Sequence, residues 1–270
     1  MQFGISISPL RTGFGPVLHD TDMGGLCEGL AAAGYDGVEV SLVTPEAFAP
    51  ALAKAIAAAK LKVFSIATGQ SYIRDKLCIY SNDDRIRDAA LARLSGFIPL
   101  ARKLSCPIII GGVCGNEARE VGMKEKGDET FRTLAAAAAE QDVRLLLEPI
   151  NRYETRVFNT VDSAAQFVAA EKLPNVKVLA DTFHMNIEEV DITETVRTHL
   201  DQIGYIHVAD SNRRFPGAGH VDFAALLRCL QKHDYSGVVG VEILPLPTPL
   251  EAAEQSIRTL RRCLAAARAA

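Results

Sequence analysis

Four residues in this chain could do chemistry together. Glu148 closes the apolar run LLLE, Asp181 closes VLAD, His207 sits in YIHV and Glu242 follows VVGV. Their separations are 33, 26 and 35 residues, each about the length of one strand-plus-helix unit. Three carboxylates and an imidazole form a mixed oxygen and nitrogen donor set that suits one divalent metal ion, Mn²⁺ first, with Co²⁺ or Mg²⁺ as alternatives, and leaves room for two substrate oxygens. Without a cation, clustered carboxylates repel one another and partly protonate. Taken singly, an acid at a strand end is commonly a helix cap or a loop charge, and one core histidine is commonly structural. Independent structural roles give no reason for acid, acid, histidine, acid at four successive strand ends, so the set reads as a metal site.

The elements that must position these residues follow from the hydrophobic pattern. Short, often β-branched runs near 2–7, 36–42, 62–67, 107–112, 143–148, 176–181, 203–208 and 238–243 read as strands. Helical periodicity falls between them, near 22–34, 45–60, 84–104, 125–141, 162–172, 188–201, 222–233 and 250–268, with Asp162 and Asp222 as expected N-caps. Eight such units, with no Pro-rich or Gly/Ser-rich linker, predict an α/β fold of the (β/α)8 TIM-barrel type in a single domain spanning 1–270. In that architecture the strand C-termini surround one cavity, where chemistry is normally found. No GxGxxG follows the first strand, and PGAG at 216–219 reads as a turn.

Composition narrows the partners. The chain is 48% hydrophobic with a formal net charge of −4 and no long block of one sign, which argues against nucleic acid and an anionic membrane. MQFGISISPL lacks a basic stretch followed by a long apolar one, so a soluble, unprocessed protein is expected. The cysteines at 27, 78, 106, 114, 229 and 263 form no CxxC pair, and several lie in apolar surroundings, which fits a reducing cytoplasm. Glu39, inside GVEV, reads as a buried partner for a cavity arginine or as support for a ligand. His19, His199 and His233 are expected at the surface.

Several ordered motifs carry a family likeness: TGQSY at 68–72, EPINRYET at 148–155, LADTFHMNIEEV at 179–190, HVADSNR at 207–213, PGAGHVDF at 216–223 and VEILPLP at 241–247. Through them the chain resembles the ketose 3-epimerase group of the xylose-isomerase-like TIM barrels, which includes D-tagatose and D-psicose 3-epimerases, and looks closest to the 5-keto-L-gluconate epimerases. The resemblance covers nearly the whole chain. It implies that Glu148, Asp181, His207 and Glu242 bind the metal and that Glu154, His184 and Arg213 contact the substrate. Taken alone, His184 and Arg213 could as well make loop hydrogen bonds. Relatives carry a basic residue near the end of the loop after the fourth strand, where this chain reads GGVCGN with Cys114.

The residue types then suggest a mechanism. A proton beside a ketone leaves only when the resulting charge is stabilised. A divalent ion chelating the C2 carbonyl and C3 hydroxyl oxygens would fix a cis-enediolate. Glu148 and Glu242 would exchange protons with the two faces of C3, one removing and the other returning. His184 and Arg213 would hold the C2 oxygen region, and Glu154 would orient Arg213 or a substrate hydroxyl. The expected substrate is an unphosphorylated small sugar or keto acid. A ketohexuronate of the 5-keto-L-gluconate or D-tagaturonate type ranks first, its carboxylate met by Arg213, Arg214 or a cation on a helix-bearing loop, ahead of neutral ketoses and sugar phosphates. A homo-oligomer is compatible with the chain. The rivals are a hydroxypyruvate or ketose–aldose isomerase on the same scaffold, a DNA-repair metallonuclease, for which the ends of the third and fourth strands lack further histidines, and a silent sugar-binding protein, which would be expected to lose a ligand or base.

Overall fold

The computed structural model describes residues 1–11, 15–116 and 123–269. Eight strands pair in chain order and in parallel: β1 (Gln2–Ile7), β2 (Gly37–Ser41), β3 (Lys62–Ala67), β4 (Ile108–Ile110), β5 (Leu145–Leu147), β6 (Val176–Asp181), β7 (Ile203–Val208) and β8 (Val238–Val241). β8 pairs back onto β1 and closes the barrel. The expected TIM-barrel class is what the chain forms. Around the sheet run α1 (Met23–Ala33), α2 (Pro50–Ala58), α3 (Gln70–Asp75), α4 (Asp84–Gly96), α5 (Ile98–Leu104), α6 (Met123–Glu140), α7 (Val161–Ala170), α8 (Thr182–Glu188), α9 (Ile192–His199), α10 (Phe223–Lys232) and α11 (Pro249–Ala269).

Alternation along each strand divides the buried residues into two clusters. Outward-facing Ile5, Ile7, Val38, Val40, Ile108, Ile110, Leu145, Leu147, Val178, Ile206 and Val239 pack with the helices in the large core. Inside the barrel a separate cluster joins Phe64, Ala67, Ile109, Leu146, Leu179 and Tyr205. The next inward position toward the strand C-termini is then polar. Leu146 is followed two residues on by Glu148, Leu179 by Asp181 and Tyr205 by His207. In β8 the lower position is Gly240, where a Cβ would stand 2.7 Å from the Tyr205 ring. The aromatic plug occupies that volume and leaves room only for glycine.

Two slips in register aim the site. Between β2 and β3 the pairing shifts after Val38, so that Glu39 faces Ser65 and Phe64 becomes the extra residue. Between β6 and β7 it shifts after Val178, with Gly204 extra, and Asp181 comes to lie beside His207. Such bulges turn side chains that a regular ladder would place elsewhere.

The helices differ from the sequence reading in five places. The expected 84–104 helix divides at Phe97 into α4 and α5, because Pro99 lacks the N–H that a continuous helix would use there. The expected 45–60 helix becomes a 3₁₀ turn at Pro45–Ala47 and then α2, which begins at Pro50. Thr160, not Asp162, caps α7, through a reciprocal bond pair with Ser163; Asp162 instead accepts from Gln166 Nε2 at 2.7 Å. Asp222 caps α10 as expected. Short helices α3 and α8 stand where loops were expected after β3 and β6.

Candidate metal centre

Glu148 and Glu242 each lie one residue beyond their strands, while Asp181 ends β6 and His207 is the penultimate residue of β7. One ligand atom from each of the four lies within 4.8 Å of all the others. His207 Nδ1 is 3.5 Å from Glu148 Oε1 and 4.0 Å from both Asp181 Oδ2 and Glu242 Oε2. Glu148 Oε1, Asp181 Oδ2 and His207 Nδ1 are buried without a hydrogen-bond partner. Leaving three polar atoms in this state is costly unless something between them binds all three. Their donor types and convergence fit a divalent cation.

Asp181 and His207 are held from behind. Asp181 caps α8, accepting from Phe183 N through Oδ1 at 2.7 Å, which leaves Oδ2 for the shared centre. His207 Nε2 lies 3.0 Å from Glu39 Oε2, which also accepts from Ser65 Oγ at 2.7 Å. This pairing keeps a ring proton on Nε2 and turns Nδ1 toward the three carboxylates. Glu39 thus pairs with His207 and, among the described residues, with no arginine. Gly111, just past β4, faces the Glu148 carboxylate so closely that an added Cβ would overlap it.

The electrostatics agree with this crowding. Burial pushes the Glu242 carboxyl up to about 8; Glu148 and Asp181 add to the shift, and His207 and Arg213 oppose it. Burial works against charge on His207, yet Glu39 and Glu242 outweigh it and hold the ring protonated well above its usual range. Burial also works against charge on Glu39, but His207 and the hydrogen bonds from Ser65 and Ser6 keep it below its ordinary value.

A cavity of about 290 Å³ opens above this cluster. Glu148, Glu154, His184, Arg213 and Glu242 line it. Asn151, which the sequence reading passed over, organises that wall: its Nδ2 donates to Glu154 Oε1 and to His184 Nδ1, both at 2.8 Å. His184 therefore carries its proton on Nε2, 3.7 Å from Asp181 Oδ2. For Asn151, the position midway between Glu148 and Glu154 in EPINRYE was the available signal. Arg213 donates to Glu154 Oε1 at 3.3 Å and Glu242 Oε2 at 3.2 Å, and its guanidinium stacks 4.6 Å from the centre of the Phe183 ring.

Other expected positions fall outside the cavity. Cys114 is buried and does not line it, so the residue type there does not set its charge. Arg214 does not line it either; its guanidinium lies 5.8 Å from the Phe215 ring centre. His233 is exposed, whereas His19 and His199 are half-buried rather than at the surface, with Nδ1 atoms 3.0 Å from Ser8 O and Gln202 Oε1. Cys27, Cys78, Cys106, Cys114 and Cys229 are buried. Among the described residues no helix is long and apolar enough to cross a membrane.

Comparison with known proteins agrees with this geometry. Residues 27–263 match the family model for xylose isomerase-like TIM barrels. L-ribulose 3-epimerase of Methylomonas sp. (strain DH-1) is 33% identical over 223 residues, 79% of this chain and 76% of that protein. The 3-dehydro-D-guloside 4-epimerase of Escherichia coli (strain K12) is 33% identical over 143 residues, 53% of this chain, and the match spans only 55% of that relative's length. A solved structure of L-ribulose 3-epimerase superposes with a TM-score of 0.83 at 25% identity, covering 98% of this chain and 95% of the other. The chain belongs to the xylose isomerase-like TIM barrels, and its named relatives are sugar epimerases of the isomerase class.

Proposed function

We propose that this member of the xylose isomerase-like TIM barrels is a metal-dependent 3-epimerase acting on an unphosphorylated ketose or ketohexuronate. The observation that carries the reading is the convergence of Glu148, Asp181, His207 and Glu242 on one point, with three of their atoms buried and unpartnered. Those four would hold the ion, Mn²⁺ before Co²⁺ or Mg²⁺ on the donor set. A bound divalent ion would polarise the ketone and offset the negative charge that builds on its oxygen when the neighbouring carbon loses a proton.

The chain's own residues supply the rest. Glu148 and Glu242 come from strands separated by β6 and β7, so their carboxylates approach the cavity from different directions. One removes the C3 proton and the other delivers a proton to the opposite face, the roles exchanging with the direction of reaction. His184, a donor through Nε2, and Arg213 hold the oxygen on C2, while Glu154 and Asn151 fix both in place. The apolar plug of Phe64, Leu146, Leu179 and Tyr205 closes the barrel beneath the site and keeps water from that side.

The test uses the purified protein with a ketose or ketohexuronate in deuterated water. Product epimeric at C3 and carrying solvent deuterium there, with activity lost on chelation and restored by Mn²⁺, is the expected result. An aldose product would assign a ketose–aldose isomerase instead. Activity indifferent to chelation would overturn the metal-dependent reading.

A further inference from the structure

We propose that Arg74, held by Gln70, is a docking group for a carboxylate at the end of the substrate remote from the reacting carbons, so that the cavity takes a sugar acid. The inference rests on the epimerase reading and narrows its substrate class. Among the described residues two cationic side chains line the cavity, Arg74 and Arg213. Arg213 is bonded to both Glu154 and Glu242, so its charge is already committed. Arg74 pairs with no carboxylate among the described residues, although Asp75 beside it is taken by Arg93.

The guanidinium is fixed without being neutralised. Gln70 is buried, and its Nε2 donates to Ser8 Oγ and Ser41 Oγ, both at 3.1 Å, and to Ser41 O at 3.5 Å. That orientation turns Oε1 toward Arg74, whose Nε donates to it at 3.2 Å. Arg74 Nη2 donates to the Arg11 carbonyl at 2.7 Å. All these partners are uncharged, so the positive charge stays available on a side chain whose orientation is set. A guanidinium in that state suits a planar carboxylate, which it can bind through two parallel bonds.

Arg74 belongs to the helix after β3, whereas the acids of the lining follow β5 and β8. Val17, Ile73, Ile109 and Ile150 lie on the walls and suit the C–H faces of a short carbon chain. Glu148, Glu154 and Glu242 line the reacting end and would repel an anionic terminus placed there. A sugar acid is therefore oriented by attraction at one end and repulsion at the other. A terminal phosphate fits less well, since it would bring about two charges to a single guanidinium.

Two measurements test this. In the first, kcat/KM is compared for a ketohexuronate and the matching neutral ketose in the wild type, Arg74→Gln and Arg74→Lys. Arg74→Gln is expected to lower the value for the keto acid at least about tenfold more than for the neutral ketose, chiefly through KM, with partial recovery in Arg74→Lys. Equal losses on both substrates, or a wild type that prefers the neutral ketose tenfold, would overturn the proposal. The second measurement is calorimetric binding of a non-reacting aldohexuronate to the metal-loaded protein. About tenfold weaker binding to Arg74→Gln supports the docking role even where neither substrate turns over, in which case the epimerase reading fails and this one stands; unchanged binding overturns it.

Discussion

The β5–β8 half of the barrel mouth and the β1–β4 half enclose the same cavity with opposite chemistry. The first contributes Glu148, Asp181, His207 and Glu242 at its strand ends and adds Glu154, His184 and Arg213 from the segments that follow. The second offers neutral Ser8, Ser41 and Gln70, the glycines 111 and 112, the cation Arg74, and one acid, Glu39, whose carboxylate is turned to His207 and does not line the cavity. Acidic charge facing the cavity is thus concentrated on one side, while the other side shapes and supports, and its one charged lining residue among those described is the cation Arg74. Gly111 illustrates the division: its missing side chain is the space that the Glu148 carboxylate fills.

The largest expected effect of breaking this contrast lies on the charged half. Glu148→Gln and Glu242→Gln should each lower turnover by about a hundredfold or more, because each removes a positioned acid/base, while Ser41→Ala, across the cavity, should change kcat far less. Metal content is measured on the same samples, and near-normal turnover in either Gln variant with metal bound would remove that residue from the proton exchange. A smaller effect sharpens the comparison from the other side. Glu39→Gln keeps the shape but weakens the hold on the His207 tautomer, and metal affinity, read by competition with a chromophoric chelator, should fall about 10- to 100-fold. Unchanged affinity would make Glu39 a packing residue only.

The smallest effect concerns protons. In the metal-free protein Glu242 and His207 both bind protons more tightly than in the unfolded chain. Their contribution to stability is therefore fully present below their unfolded values and declines as pH rises, for Glu242 through about 8. Glu39 acts in the reverse sense, but only as pH falls below the ordinary carboxylate range. The chelated protein should lose Tm between about pH 6 and pH 8.5, and Glu242→Gln should lose less. Saturating Mn²⁺ should flatten the slope, since ligands must shed those protons to bind it. A Tm series with and without chelator decides this.

Much of the charged half was legible because period-two alternation and unit length leave their mark on sequence: LLLE, VLAD and YIHV each show an apolar inward residue followed two positions on by the functional one. The other half was not. Gln70 and Arg74 belong to a six-residue helix, too short to show a helical period, and Gln70 is oriented by contacts with Ser8 and Ser41, distant in the chain. The register slips at Phe64 and Gly204 alter pairing by one residue without altering composition or hydrophobic pattern. Cys114 stands in the loop after β4 where relatives carry a basic residue, but the tight 3₁₀ turn over Gly112–Cys114 carries it into the core. Helix α8 escaped notice because its capping residue is itself the last residue of a strand.

That double duty of Asp181 bears on how the sequence can drift. One oxygen closes the first turn of α8 and the other faces His207 and the neighbouring carboxylates, so the side chain answers to two demands at once, whereas Glu148 and Glu242 do not cap a helix. Glutamate would keep the charge, yet its extra methylene abandons the short reach from a strand end back to the amide two residues on that makes aspartate a good cap. Among divergent descendants of this chain, exchange between aspartate and glutamate should be rarer at 181 than at the other two acidic corners of the cluster.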